Sequence, residues 1–367
     1  MLEDLAPIRT TPRTNHGGKP FDYYVQKMVV KGDLRRERIS AKILRTPRDL
    51  EVYRSVRKSA FISDWKNMAE DASYCCEYWA DLKIGRGACG FRCAECFFIL
   101  THRVKADPSR HELYENMDDF YHAVQQWLKK PGQRQTLGLG LDCSDSLLYE
   151  GVTGHARRLI PLFADDKFNP YNRKLVLLTK SANVHYLEGL PNRNVVVSFS
   201  LNPEPIADLF EGHYPDGLRI TPPMQDRLKA SEKAQEMGFE VRWRIDPVIP
   251  VKGWQSIYED FFLNEAGRFR PSRMTFGIYR QMASGLKTFS QKWGLQPMPW
   301  KPEYKMLRDK GTHQQLPTEI RIGIYRFLRE MVEMVWPENE RPGLALCKES
   351  THVREASGIS GTHCNCE

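Results

Sequence analysis

The 367-residue sequence has no apolar run of about 18 residues or more, the length from which a membrane-spanning helix is read. Its first residues, Met1-Leu2-Glu3-Asp4-Leu5-Ala6-Pro7, are acidic and hold no apolar core segment, so a secretory leader is not expected there. Low-complexity tracts are missing. Nine cysteines in a chain this long make no disulfide framework of the kind small secreted domains carry. These absences argue against a helical membrane protein and a secreted disulfide scaffold, and they lead to the expectation of a cytoplasmic protein with no membrane partner. Hydrophobic residues at 41% and charged residues at 27% suit one large globular domain with additions, or two domains.

Negative charge is in the minority, and unevenly so. The first 60 residues hold 14 Lys and Arg against 7 Asp and Glu, which leaves +7 of the chain's net +8 in this segment. Lys31, Arg35, Arg36, Arg38, Lys42, Arg45, Arg48, Arg54, Arg57 and Lys58 carry most of it. Concentrated positive charge is either a solvated face or the footprint of a polyanion such as nucleic acid.

Three of the nine cysteines stand together. Cys89, Cys93 and Cys96 form Cys-x3-Cys-x2-Cys inside Arg86-Gly87-Ala88-Cys89-Gly90-Phe91-Arg92-Cys93-Ala94-Glu95-Cys96-Phe97-Phe98. A structural zinc site wants a fourth ligand and usually pairs two Cys-x2-Cys knuckles, and no second knuckle lies nearby. Three thiolates on one loop suit three irons of a [4Fe–4S] cluster, with the fourth iron left open. An open iron is what S-adenosylmethionine chelates before cleavage to a 5′-deoxyadenosyl radical, and the spacing resembles that of the radical S-adenosylmethionine superfamily. The competing reading is a nucleic-acid-binding module whose cysteines hold a structural metal.

From residue 81 strand-like and helix-like segments alternate. Strands are predicted at 81–85, 136–142, 174–180, 194–201, 240–246 and 273–279. Helices are predicted near 112–129, 153–164, 181–188, 222–237 and 255–267, with a further one at 317–335. Apolar β-branched strands between amphipathic helices indicate a parallel sheet, and six such units make an α/β fold of partial (β/α)6, TIM-like barrel type. Active-site groups then belong at the C-terminal strand ends, and the cysteine loop does follow the first strand. Residues 1–78 are expected to be a basic N-terminal extension, with helical stretches near 47–58 and 64–71. Residues 79–280 are expected to be the barrel, and 281–367 a substrate-covering region with a cysteine-rich tail. Lys287, Lys292, Trp293, Trp300, Lys301, Tyr304, Lys305, Arg308 and Lys310 interleave charge with aromatic rings, as phosphate neutralisation plus base stacking would need. A segment that merely closes the barrel's open side has the same composition.

Several segments carry a closer resemblance. They are Lys174-Leu175-Val176-Leu177-Leu178-Thr179-Lys180, Val197-Ser198-Phe199-Ser200-Leu201-Asn202, Arg227 to Gly238, and Arg244-Ile245-Asp246-Pro247-Val248-Ile249-Pro250 with Gly253-Trp254. Leu346-Cys347-Lys348-Glu349-Ser350 and Cys364-Asn365-Cys366 add to them. With these the chain resembles spore photoproduct lyase and its relatives, radical enzymes that split a thymine dimer in DNA; the tail looks like that of non-sporulating relatives. The resemblance implies a [4Fe–4S] cluster on Cys89, Cys93 and Cys96, S-adenosylmethionine as cosubstrate, DNA as partner, and an external one-electron reductant such as flavodoxin or ferredoxin. It implies that Lys180 neutralises the cosubstrate's carboxylate and that Ser200 hydrogen-bonds the same molecule, with Asn202 beside it. Alternation along the strand places Ser198, Ser200 and Asn202 on one face. Ser144, Asp145 and Asp246, at the ends of the second and fifth strands, are further candidates for cosubstrate contact. Asp145 also suits a helix cap, and Asp246 a salt bridge to Arg244 or Arg242. Glu150 and His155 are candidates to line the same pocket, and Arg280 stands just past the sixth strand.

The departures from the lyase pattern bear on the reaction. The lyases return a hydrogen atom from a cysteine at the end of the second strand. Here that text is Leu141-Asp142-Cys143-Ser144-Asp145, and aligning Ser144-Asp145 puts Asp142, not Cys143, at the donor position. A one-residue offset on a strand means the opposite face. The lyases also carry an aromatic before the third cluster cysteine and a Tyr after it; Glu95 and Phe97 stand there instead. Such a site suits a radical modification or isomerisation of a substituted thymine in DNA, with Glu95 or Asp142 binding a substrate ammonium or acting as acid or base. Photoproduct cleavage with Cys143 as donor is the alternative, and RNA or a free nucleotide is a third substrate class. Cys347, His363, Cys364 and Cys366 suit a second metal, a lid, or no chemistry at all; Cys75-Cys76 reads as packing.

Overall fold

The computed structural model describes residues 35–40, 49–64, 79–85, 89–96, 111–141, 144–214, 216–282, 307–308 and 313–361. Asp142, Cys143, Phe97, most of the basic–aromatic segment after 282, Cys75, Cys76, His363, Cys364 and Cys366 lie outside them. So do Lys31, Lys42, Arg45 and Arg48.

The strands in chain order begin with β1 (Arg35–Ser40), β2 (Asp49–Ser55), β3 (Ile62–Asp64), β4 (Trp79–Leu82), β5 (His111–Tyr114), β6 (Thr136–Leu139) and β7 (Lys174–Thr179). They continue with β8 (Val195–Ser200), β9 (Glu240–Val248), β10 (Arg273–Ile278), β11 (Gln281–Met282), β12 (Leu307–Arg308), β13 (His313–Gln315) and β14 (Gly343–Leu346). The main sheet runs β14-β10-β9-β8-β7-β6-β4-β3. The six predicted strands stand side by side in chain order and all run parallel. Two unpredicted strands extend the sheet: β3 pairs antiparallel with β4, and β14 pairs parallel with β10.

Val195-Val196-Val197-Ser198-Phe199-Ser200 shows why these segments are strands: every residue is buried, as expected of a parallel strand covered on both faces. Val195, Val197 and Phe199 join the large core under the helices. Val196 instead packs with Trp79, Leu141, Val176 and Ala345 in a separate cluster that joins β4 to β14. Strands so far apart in the hydrogen-bonded order share a core only if the sheet curls, so this cluster is the interior of a partial barrel. Ser198 and Ser200 lie on that inner face, as alternation requires.

Helices Met117–Lys129, His155–Ala164, Met224–Glu236, Trp254–Asp260 and Thr318–Val335 cover the outside. The first buries Phe120, Val124, Trp127 and Leu128 on one stripe. Its C-terminal carbonyls are gripped by buried Arg173, which donates to Trp127 O and Leu128 O at 2.6 Å each and to Lys130 O at 2.7 Å.

Three predicted helices differ. Residues 49–55 form β2 rather than part of a helix, because Val52 turns inward to full burial while β1 and β5 supply hydrogen-bonding partners on both sides. The 112–129 helix starts only at Met117, since 111–114 is spent on pairing with β2. The 181–188 helix shrinks to one 3₁₀ turn, Val184–Leu187. The 64–71 stretch begins at the last residue of β3, and 65–71 lies outside the described residues. No described helix is long and apolar enough to cross a membrane.

Candidate active site

The cysteine loop leaves β4 through Gly85, where a Cβ would sit 2.5 Å from Glu112 O; only glycine lets the chain pass. Two tight turns follow, closed by Arg92 N–H to Cys89 O at 3.4 Å and Cys96 N–H to Cys93 O at 3.2 Å. The Ala94 N–H donates to Phe210 O at 2.6 Å, and a Cβ at Gly212 would meet Phe91 O at 2.1 Å. The loop is thus pinned against the segment after the Glu204–Phe210 helix. Phe91 and Cys93 are buried with Val52, Leu148, Tyr149 and Ile220, and Cys89 and Cys96 pack against them half-buried.

None of the three cysteines is in a disulfide. Burial, with Asp145 nearby, pushes the Cys89 thiol well above its ordinary range; burial, with Glu95 nearby, does the same to Cys93. Bare thiolates are therefore disfavoured here, and bound iron would supply the positive charge that removes their protons. Three thiols on one loop are the donor set for three irons of a [4Fe–4S] cluster, whereas a structural zinc ion takes four ligands.

Lys180, at the exit of β7, stands next to this loop. Its ammonium donates to Glu95 Oε1 and to Glu211 Oε1, both at 2.9 Å. Burial opposes its charge, but Glu211 and Glu95 outweigh burial and hold Lys180 well above its ordinary value. Glu211 also receives Arg227, through Nη1 at 2.8 Å and through Nη2, as well as the Thr221 hydroxyl. Despite burial, Arg227 and Lys180 keep the Glu211 carboxyl well below the usual carboxylate range. Glu95 is shifted the other way, because burial exceeds the help from Lys180.

Asp145 is a brace rather than an open ligand. Its Oδ1 accepts from Leu147 N–H (3.0 Å), Leu148 N–H (2.9 Å) and the Thr179 hydroxyl (2.7 Å), and its Oδ2 accepts from Lys180 N–H. No helix starts at Asp145, so the expected cap role is not met; the carboxylate instead closes the turn over 146–149 and ties the exit of β6 to that of β7. Ser144 lies in the same turn, its N–H donating to Gly140 O at 2.9 Å. Ser200 is buried, and its carbonyl takes Arg227 Nη1 at 3.3 Å. Asn202 is committed elsewhere, its amide donating to Pro247 O at 3.0 Å and its oxygen accepting from Tyr258 at 2.9 Å. Asp246 pairs with Arg244 at 3.0 Å, as the salt-bridge alternative expects, and Arg280 approaches to 3.9 Å. Buried Cys347, at the exit of β14, meets Arg244 Nη2 at 2.9 Å through its sulfur.

Glu150 and His155 do not line this site. Glu150 accepts from the N–H groups of Ala156 and Arg157, both at 2.9 Å, and so caps the following helix. His155 stacks on Phe120 at 4.7 Å in the outer core. Sequence reasoning missed Glu211 as a partner of Lys180, because nothing in its spacing links it to a residue 31 positions away. It also missed the bond of Arg244 to Cys347, which rests on the unpredicted β14.

Comparison with known proteins agrees with this architecture. The family model described as spore photoproduct lyase matches residues 24–280. Solved structures of spore photoproduct lyase superpose along most of the chain. A complex with dinucleoside spore photoproduct gives a TM-score of 0.61 at 19% identity, covering 80% of each chain. A double mutant with bound AdoMet and dinucleoside spore photoproduct gives 0.61 at 19% identity, covering 79% of this chain and 80% of that one. No curated protein matches the sequence.

Proposed function

From the premise that this chain belongs to the spore photoproduct lyase family, and so is a radical S-adenosylmethionine enzyme with a [4Fe–4S] cluster, we propose that it rearranges a substituted thymine in DNA. The observation that carries this reading is the ion pair between Lys180 and Glu95. Where the lyases' pattern calls for an aromatic group before the third cysteine, this chain places a buried carboxylate on the lysine assigned to the cosubstrate. A carboxylate there recognises or moves protons; it does not relay hydrogen atoms as a phenol does. Together with the offset of Cys143, this favours a reaction in which the hydrogen returns from 5′-deoxyadenosine.

Cys89, Cys93 and Cys96 would hold the cluster, whose reductive cleavage of S-adenosylmethionine supplies the 5′-deoxyadenosyl radical. Lys180 has two of its three N–H groups on Glu95 and Glu211, which leaves the third for the cosubstrate's carboxylate. Ser198 and Ser200 present hydroxyls on the barrel's inner face, and Asp145 fixes the Lys180 backbone beneath its side chain. Solved relatives hold a dinucleoside photoproduct, which supports a thymine-derived base in DNA as substrate. The basic first 60 residues suit the polymer's phosphates, and a flavodoxin or ferredoxin would supply the electron.

The test is anaerobic turnover with reductant and S-adenosylmethionine on two DNAs, one ultraviolet-irradiated and one bearing aminated thymines. Digested nucleosides and 5′-deoxyadenosine are read by mass spectrometry. An isobaric new nucleoside with little net 5′-deoxyadenosine is expected from the aminated DNA. Restored thymine from the irradiated DNA, with no change in the other, would instead make the chain a photoproduct lyase and return Cys143 to the donor role.

A further inference from the structure

Glu95 is only half satisfied. Its Oε1 has Lys180; its Oε2 is buried and has no hydrogen-bond partner among the described residues, although the side chain is only 4% exposed. A buried carboxylate oxygen without a donor is costly, and such an orphan in a functional cleft calls for an explanation. The other carboxylate on the same lysine is not in this condition. Glu211 has Lys180, both Arg227 nitrogens and Thr221, with Arg219 Nε a further 3.9 Å away. Lys180 is therefore shared unequally: Glu211 is saturated, and Glu95 retains an open acceptor.

The position of that acceptor defines what it takes. Glu95 lies between two cluster ligands, Cys93 and Cys96, on a loop pinned at Ala94. Its Oε1 meets the ammonium of Lys180, which stands at the exit of β7, so the carboxylate lies at the C-terminal ends of the barrel strands. An ionised carboxylate only accepts hydrogen bonds, and its strongest partners are charged donors. Lys180 already supplies the fixed positive charge on one oxygen. The other oxygen suits a donor that arrives with a ligand and leaves with it.

On the reading of the site given above, we infer that Glu95 Oε2 is a receptor for a primary ammonium group, held in place by the Lys180–Glu211–Arg227 chain behind it. Two ligands of a radical S-adenosylmethionine enzyme acting on an aminated thymine bring amino N–H donors: an aminoalkyl substituent on the base, which is an ammonium, and the cosubstrate's amino acid end, an ammonium in free solution and an amine once it chelates iron. Glu95 makes the site discriminate for whichever of them it faces.

Equilibrium binding to cluster-loaded protein separates the possibilities without relying on turnover. The probes are S-adenosylmethionine and its desamino analogue, and two oligonucleotides that differ only in one base, 5-aminomethyl-deoxyuridine or 5-hydroxymethyl-deoxyuridine. Each is titrated against the wild type and Glu95→Gln, in which an amide N–H can take the place of the open oxygen. A preference of about tenfold or more for the aminomethyl oligonucleotide, lost in Glu95→Gln while S-adenosylmethionine affinity holds, assigns the receptor to the base. The same loss on the S-adenosylmethionine pair assigns it to the cosubstrate. Absence of either preference in the wild type, or its survival in Glu95→Gln, overturns the inference. If Glu95→Gln fails to take up the cluster, Glu95→Asp replaces it: a retained carboxylate keeps the preference in part, and an unweakened preference counts against Glu95. Cleavage of S-adenosylmethionine by reductant without DNA reports separately on the radical chemistry, so failure there is not confused with failure here.

Discussion

Asp145 and Lys180 are joined through the main chain, the Lys180 N–H donating to Asp145 Oδ2 at 2.6 Å. The bond is one of four that this carboxylate accepts across the exits of two neighbouring strands, and it sets the height from which the Lys180 side chain reaches the cysteine loop.

Asp145→Ala leaves three buried main-chain N–H groups and the Thr179 hydroxyl without that acceptor. The expected loss is about 3 kcal/mol of unfolding free energy, read as a shift in urea midpoint. Asp145→Asn keeps one acceptor oxygen and should recover part of it. A neutral Ala variant would mean that water replaces the carboxylate at no cost.

Arg227 is fully buried and is the main counter-charge of Glu211 apart from Lys180. Arg227→Met removes the fork and leaves two buried carboxylates, Glu95 and Glu211, to share the one charge of Lys180, at an expected cost of about 3–5 kcal/mol. The double variant Arg227→Met with Glu211→Leu should be more stable than the single one, because no buried charge is left unmatched. A cycle of urea unfolding measurements decides it.

His155 makes stability pH-dependent in a predictable direction. Burial, and secondarily the Arg158 guanidinium, lower its pKa from 6.5 to about 3. The unfolded chain therefore binds a proton below pH 6.5 that the folded chain refuses. The contribution is fully present above the unfolded value and is lost as pH falls from there towards the folded one. Between pH 7 and pH 5 the loss is about 2 kcal/mol. Neither ring nitrogen has a partner among the described residues, so His155→Phe should keep the stacking on Phe120 and flatten this part of the profile. An unchanged slope in that variant would place the titrating group elsewhere.

Gly277 faces Asp246, and a Cβ there would lie 2.4 Å from the carboxylate carbon. Gly277→Ala should push Asp246 off Arg244 and lower turnover about tenfold or more, with a smaller effect on folding. Full turnover in this variant would remove the Arg244–Asp246 pair from the site.

Much of this arrangement was legible because parallel strands buried on both faces leave a strong mark. The runs around Val176, Val197 and Ile245 announced the barrel, and the three cysteines announced its cofactor. What was not legible depended on partners far along the chain. Leu50 to Ser55 becomes a strand because β1 and β5 flank it, and β5 comes from a stretch that reads as the start of a helix. Gly343–Leu346 is too short to signal a strand by itself, yet β10 recruits it. The lysine clamp is of the same kind. Lys180 was visible at a strand end, whereas Glu211 reaches it only after the chain has turned through another strand and helix.

That recruited strand has a consequence for synthesis. Until residues 343–346 emerge from the ribosome, β10 presents an unpaired edge, and the apolar contact of Ala345 with the barrel interior is missing. The cluster loop, the lysine clamp and the other central strands are all made earlier. The nascent chain therefore passes through the synthesis of residues 279–342 with its cysteine loop and lysine clamp already made and one flank of its sheet open to adhesion. Chains halted just before residue 343 should accumulate as aggregates, and cluster insertion has reason to wait for a sheet that the last part of the chain completes.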